Sequence, residues 1–526
     1  MPTLATCLRS TALIFALGLA SQAQAYLDLP LSEPAARAML HRFGYGIDPK
    51  NLRAATGSSP RQYIRRAIDL PPNYPASINA EIAELPSAQS LDTLWQRYGP
   101  GGSEKSKAPV QTNGADDRMD KPKRSAREIA GREILEGAIQ TRLLETANSD
   151  NPGHEVLLNF WLNHFSVHGL KTINKYLVND YTRTLQKAMR EDSFLALLRA
   201  SFLHPAMQVY LDNARSTAPN SRLAKNANRR GKQLGLNENL ARELLELHTL
   251  GVDSGYTQND ILALARIITG AGVLNNQMTP ERLAEAEATR IGYFLFDPRR
   301  HDSDKKTFLG KTYPAGQGFK EIERALEQLA QHPATAHHVA DKLARRFLAD
   351  EPPEKIVKAM ADGFLRSNGK ISATLFPLLN SKEFADSLTH PSKFKEPVDY
   401  LISASRATCY GEPIENGKIL MRSAIGMGQA PFMHTTPDGY GSQEKDWLSS
   451  PAMSQRVKLA QALTTNKLPM AMPKNIGREK IFCQTKLENV RRAVGPLSEK
   501  TKAALQGLNP QDEMTALLAS PEFMRR

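Results

Sequence analysis

The stretch NENLARELLELHTLG at 237–251, followed directly by VDSGYTQNDILALARIITG at 252–270, decides how this chain folds. Leu and Ala recur through both halves at helical spacing. Gly251 closes the first helix, and Thr257-x-x-Asp260 is a capping box that opens a second over 258–269. A surface helix needs only a solvated polar stripe, which Lys and Glu usually supply. Here the polar set is Asn237, Glu238, Asn239, Arg242, Glu243, Glu246 and His248. Those residue types bind metals, clamp oxyanions and move protons.

The same helical period extends outward. Residues 132–147 put Ile134, Leu135, Ala138, Ile139 and Leu143 on one face. Residues 336–348 and 356–365 repeat the pattern, the latter with Ile356, Val357, Met360, Phe364 and Leu365. Only Gly292–Phe296, with residues 272–277, reads as a short strand or hairpin. The class is therefore mainly all-α: a large multi-helix single body with one short β-hairpin. Residues 99–127 lack an apolar pattern and are rich in Gly, Pro, Lys and Asp, as a flexible insertion would be. Residues 214–235 form a second polar, basic loop, equally suited to be a substrate lid or a connector. The plan is a segment 1–25, a helical domain 26–460, and a C-terminal helical extension 461–526 packed on the same body.

Residues 1–25 read as a signal peptide: Arg9, an apolar stretch Thr11–Ala20, and Ala23-Gln24-Ala25 as a small-x-small cleavage signal. The apolar stretch is too short to span a membrane, and no later stretch has that length. A periplasmic or secreted protein is expected. Its removal takes one positive charge, from +13 to +12. A basic balance raises nucleic acid as a partner, but export favours anionic glycans, lipid headgroups or cell-wall polymers. Cys409 and Cys483 remain after the signal, either as one disulfide or as two free thiols, with no zinc-type spacing.

Four constellations can carry chemistry. Asn239, Arg242, Glu243 and Glu246 share a helix face, where the two carboxylates suit a hard divalent cation. A structural network with Arg242 is the plain alternative, and His248 falls on the core side. In NFWLNHFSVHGLKT at 159–172, a helix through Trp161–His168 would set His164 and His168 at metal-ligand spacing, without the Glu of a zinc protease. In FDPRRHDSDKKTFLGKTY at 296–313, Asp297, His301, Asp302, Asp304 and Lys306 crowd a loop, where a carboxylate can fix a His tautomer. Asp212 and Asn213 end an apolar run just before the basic loop. No serine-hydrolase elbow, P-loop or dinucleotide fingerprint is present.

HRFGYG at 41–46, FWLNHF at 160–165, YLDN at 210–213 and the 237–270 run occur in an order that resembles the bacterial exported family called domain of unknown function 1800. FKEPVDYLISASRA at 394–407 and GQAPFMHTTPDGY at 428–440 continue it, so the likeness covers roughly 33–460. One departure stands at 434–440, HTTPDGY, where the family usually ends a Pro-Pro-Asn-Val-x-Gly-Trp-like run in Trp. The resemblance implies work on an extracytoplasmic polymer or anionic glycan, beside a co-secreted protein of the phosphatase and sulfatase fold. The expectation is a hydrolase or lyase with a Glu/His/Arg cleft lined by the Asn237 helix, the Trp161–His164 segment and the His301 loop. Glu243 or Glu238 would be the base, His164 or His301 with Asp302 would move a proton, and Arg242 and Lys306 would hold the anion. Asn237, Asn239, Asp212 and Trp161 would contact substrate, and Glu243, Glu246 and His164 would hold a divalent metal ion. The alternative is a non-catalytic binding partner in the export or maturation of a secreted enzyme. Neither nucleic acid nor a membrane span is expected.

Overall fold

The computed structural model describes residues 27–104, 125–231, 234–471 and 482–526. Residues 1–25, expected to be a signal peptide, and residues 105–124 of the expected insertion lie outside the described residues. Helices make up 60% of the described residues and strands 4%, so the molecule is mainly all-α. The insertion is bounded more tightly than its composition suggests. Ser125 and Glu128 form a capping box that starts the helix Ala126–Asn148, which places Ala126 and Arg127 inside a helix.

That helix is buried along most of its length, and it packs against the helices Pro152–His164 and Gly417–Gly426. Two arginines tie distant segments to this centre. Arg406 donates to Ala147 O and Thr146 O, both at 3.0 Å, and also to Gly44 O. Arg42 donates to Phe347 O at 2.9 Å and Leu348 O at 2.8 Å, taking up carbonyls at the end of the helix Pro333–Phe347. The run HRFGYG now has a physical reading. Gly46 adopts φ +84°, and a Cβ there would stand 2.8 Å from the Ser403 Cβ, so the backbone approach requires glycine.

Strands β1 (Ala271–Val273), β2 (Thr289–Ile291) and β3 (Phe294–Phe296) form an antiparallel sheet with β3 central. A second hairpin joins β4 (Lys306–Phe308) to β5 (Lys311–Tyr313). The charged 296–313 segment is thus half hairpin, where its composition suggests a loop. Its strands are too short to show alternation, and its turn residues Leu309 and Gly310 both have positive φ, the geometry of a type I′ turn. The basic 214–235 segment likewise contains a helix, Arg222–Asn228, capped by Ser221.

The C-terminal helices Leu487–Val494 and Pro510–Leu518 pack on each other, and the latter packs on Ser450–Thr464. Phe394 and Arg525 form a β-bridge, and Arg526 donates its backbone N–H to Lys393 O at 2.8 Å. Among the described residues no helix is long and apolar enough to cross a membrane.

Cys409 and Cys483 are joined by a disulfide across 74 residues. A loop of that length restricts the unfolded chain strongly, so replacing both cysteines by Ala should cost about 2–4 kcal/mol of unfolding free energy. Urea titration of the double variant measures this, and an unchanged midpoint would show that the bond does not hold the fold.

Candidate functional site

A cavity of about 430 Å³ opens between the helices Pro152–His164, Pro333–Phe347 and Pro397–Cys409 and the loop 428–446. Its floor is made of buried charge. Arg346 grips Asp399 with two hydrogen bonds of 2.9 Å and pairs with Glu396 at 2.7 Å. Arg526 adds a contact to Asp399 at 3.2 Å, and Gln429 donates to Glu396 at 2.8 Å. On the other side Arg142 pairs with Glu145 and Glu155 and donates to Asn159 Oδ1 at 2.8 Å. Asn159 in turn donates to the Tyr45 hydroxyl at 2.6 Å. Burial raises the Glu396 carboxyl pKa, against the pull of Arg346. These groups satisfy one another and so form a rigid polar floor.

The rim is the 428–446 loop. Asn163 holds it by donating to Tyr440 O at 2.9 Å and accepting from Tyr440 N at 2.8 Å. Gly439, at φ +75°, passes so close that a Cβ would sit 2.4 Å from Asn163 O. The Tyr440 ring meets His434 edge-on at 4.6 Å, and its hydroxyl donates to Ala430 O at 2.9 Å. Tyr at 440 therefore keeps an aromatic wall where the resemblance expects Trp. Tyr210, from YLDN, donates to Thr435 O at 3.0 Å and supports the loop from behind.

One cation in the wall is unspent. Lys342 lines the cavity. Among the described residues its ammonium has no hydrogen-bond or ion-pair partner. Burial brings its pKa down to about 8, against the charges of Asp438 and Asp341. Behind it stand three imidazoles. His164 Nε2 meets His248 O at 3.1 Å, His338 Nε2 meets Leu247 O at 3.1 Å, and His248 is fully buried with neither ring nitrogen paired. Burial, followed by the charge of Lys342, lowers the pKa of all three.

The Asn237 run is shorter and less regular than its periodicity implies. Asn239–Glu243 is α-helical and Leu244–His248 is a π-helix, a local insertion of the kind often found at functional sites. Asn237 Oδ1 accepts from Asn239 N at 2.8 Å, and its Nδ2 donates to Asp212 O at 3.4 Å. Arg242 is taken up by Glu246 at 3.3 Å, Glu238 at 3.6 Å and Gln258 at 3.2 Å. Glu243 is different. It is partly buried and has no hydrogen-bond or ion-pair partner among the described residues, and burial, Glu246 and Asp438 raise its pKa.

The other predicted residues lie elsewhere. Trp161 and His164 are in the core under the cavity, and the helix ends at His164, so His168 is not its helical neighbour but meets His434 O at 3.1 Å. His301 Nδ1 meets Thr269 O at 2.9 Å, Asp302 binds Arg266 at 2.7 Å, and Lys306 is buried on Glu321 at 2.7 Å. That cluster staples the β4–β5 hairpin to its neighbouring helices and contributes nothing to the cavity wall. Asp212 is exposed and pairs with Lys171 at 2.7 Å. Among the described residues no three His, Cys, Asp or Glu side chains are placed to hold a metal ion, so Glu243, Glu246 and His164 do not form a ligand set. The cavity residues Asn163, Lys342, Arg346, Glu396, Asp399 and Asp438 escaped the sequence reading. A signal existed: Asn163, Glu396, Asp399 and Asp438 are polar positions inside FWLNHF, FKEPVD and the 428–440 run.

The family described as "Protein of unknown function (DUF1800)" matches the chain over residues 38–525, so the match takes in the C-terminal helices as well. No curated protein and no solved structure matches.

The buried imidazoles make stability depend on pH. The pKa values of His248 and His338 are lowered in the fold to about 3 and about 4, from an ordinary 6.5. Below pH 6.5 the unfolded chain therefore binds protons that the folded chain refuses. Their contribution is complete above that pH and fades as pH falls toward those folded values. Urea midpoints should drop from pH 6.5 to pH 4, and His248→Gln should flatten the drop. The same slope in the variant would remove His248 from the account.

Proposed function

The chain belongs to the DUF1800 family, and we propose that it acts on an extracytoplasmic polymer, drawing one anionic, hydroxyl-rich sugar unit into the cavity beneath the 428–446 loop. Lys342 carries this reading. The other cations of the lining, Arg142, Arg345 and Arg346, are each ion-paired within the protein, whereas this ammonium is left for a ligand. An unpaired, partly desolvated cation is a good counter-charge for a carboxylate, sulfate or phosphate. Asn163, Gln443 and Tyr440 line the same space with amide and aromatic groups suited to sugar hydroxyls and ring faces.

The reaction class is hydrolysis or elimination. Glu243 stands outside the cavity lining but feels the charge of Asp438, which lines it, and its raised pKa suits a proton donor to a leaving glycosidic oxygen. The Cys409–Cys483 disulfide agrees with work outside the cytoplasm. A second reading has its own support. Arg242 and the His301 cluster are closed in structural networks, as they would be in a non-catalytic binding or maturation partner of a co-secreted enzyme.

Lys342→Met should lower affinity for uronate or sulfated oligosaccharides at least tenfold, with the far-UV CD spectrum unchanged. In the wild type, affinity should fall as pH rises through about 8, where Lys342 loses its proton. The imidazoles beside it, His164, His248 and His338, titrate at lower pH, and Lys342→Arg should hold affinity flat across that range. Glu243→Gln should abolish product release and spare binding. Binding without product from any oligosaccharide supports the second reading, and an unchanged Lys342→Met would sink the first.

A further inference from the structure

The segment 213–231 stands out on the surface for its charge. It contains Arg215, Arg222, Lys225, Arg229 and Arg230 and no Asp or Glu. All five side chains are exposed, and among the described residues none forms a salt bridge. Some surface cations elsewhere on the molecule are paired, as Arg37 is with Glu33, Arg132 with Glu136 and Lys358 with Asp362, whereas here five unpaired ones fall within one short segment. The backbone beneath the five is held firmly. Ala218 N donates to Arg300 O at 2.9 Å, Leu223 N to Arg299 O at 3.0 Å, and Thr217 N to Gly235 O at 3.0 Å. Arg300 reaches back to Ser216 O at 2.7 Å.

A chain of hydrogen bonds connects this segment to the cavity rim. Ser216 Oγ accepts from Asn237 N at 3.1 Å, and Asn237 binds Asp212 O at 3.4 Å. Lys171 bridges Asp212 at 2.7 Å and Tyr210 O at 2.6 Å, and Tyr210 holds Thr435 O at 3.0 Å. Thr435 lies between His434 and Asp438, which line the cavity. The basic segment and the cavity rim are therefore joined by one continuous hydrogen-bonded path.

We propose that the 213–231 surface binds the continuation of a linear polyanionic polysaccharide whose terminal or internal unit occupies the cavity. The proposal rests on the reading of the cavity given above and extends it from one sugar unit to the polymer. Charge complementarity selects a polyanion. The segment has no Phe, Tyr, Trp or His, so it lacks the stacking platforms with which single-stranded nucleic acids are held. Its other polar side chains include Asn220, Asn226 and Asn228, whose amides suit hydroxyl-bearing chains. Unpaired cations bind a polyanion by releasing its counterions, so affinity should rise with ligand length and fall steeply with salt.

The experiment compares a heparin-derived disaccharide and dodecasaccharide on the full chain by titration calorimetry over a range of sodium chloride. The surface variant combines Arg222→Gln, Lys225→Gln, Arg229→Gln and Arg230→Gln, all exposed and outside the cavity. It should lose at least tenfold in dodecasaccharide affinity, with a log–log salt slope shallower by roughly three to four. Its disaccharide affinity should match the wild type. Lys342→Met should show the converse, a lost disaccharide and a retained salt slope for the dodecasaccharide. A surface variant that binds the dodecasaccharide with the wild-type slope overturns the proposal, as does a wild type with no length dependence. Tighter binding to a single-stranded oligonucleotide of matched charge also overturns it. Loss of disaccharide binding alone, with the length dependence intact, would count against the cavity and not the surface.

Discussion

Arg346 has left water, and the structure is arranged around the consequences. A buried guanidinium without carboxylates would cost several kcal/mol. Asp399 and Glu396 answer it, and the same two carboxylates then draw in Arg526 and Gln429. The partners come from four separate stretches of sequence, so satisfying one charge fixes the helix Pro333–Phe347, the helix Pro397–Cys409, the 428–446 loop and the C-terminal segment together. Arg142, Glu145 and Glu155 do the same for the N-terminal half. Hydrophobic burial supplies the bulk of the stability, but these networks fix which segments meet.

The two networks also explain why a cavity survives between the halves. Charges already paired on the floor have no reason to close over the space, and the rim loop is held above it by Asn163 and Tyr210 instead of collapsing into it. The floor is fixed, and its charges are paired with one another. The wall carries the unpaired group, Lys342. Rigidity and reactivity are thus assigned to different residues of one helix, Arg346 and Lys342, one turn apart.

Much of the fold was legible because helices advertise themselves. Apolar residues at 134–143, 339–348 and 356–364 kept their period, with Leu365 left exposed, and the Thr257 capping box did what its spacing implies. The short strands at 306–313 were not legible, since three residues a side leave no alternation to read. The candidate site was legible only in part. The Asn237 run attracted notice for its polar content, yet most of that content is spent: Arg242 on its own helix neighbours, Asn237 and Asn239 on the 211–212 backbone. Periodicity alone cannot register a π-helical insertion, which adds no residue type of its own. Lys342 was hidden for the opposite reason. A lysine in an amphipathic helix looks like solvent-facing polarity, and only the packing of the 428–446 loop across it turns a surface residue into a wall residue.

The disulfide has a topological effect besides its energetic one. Cys409 and Cys483 close a ring of chain, and the whole 428–446 loop lies within that ring. A single backbone cut in the rim would leave both new ends covalently attached to the same body, with Tyr440 still clamped by Asn163. A protease could nick the mouth of the cavity without releasing either fragment, and the damage would show only after reduction. The rim of the cavity is thus a part whose breakage is well contained.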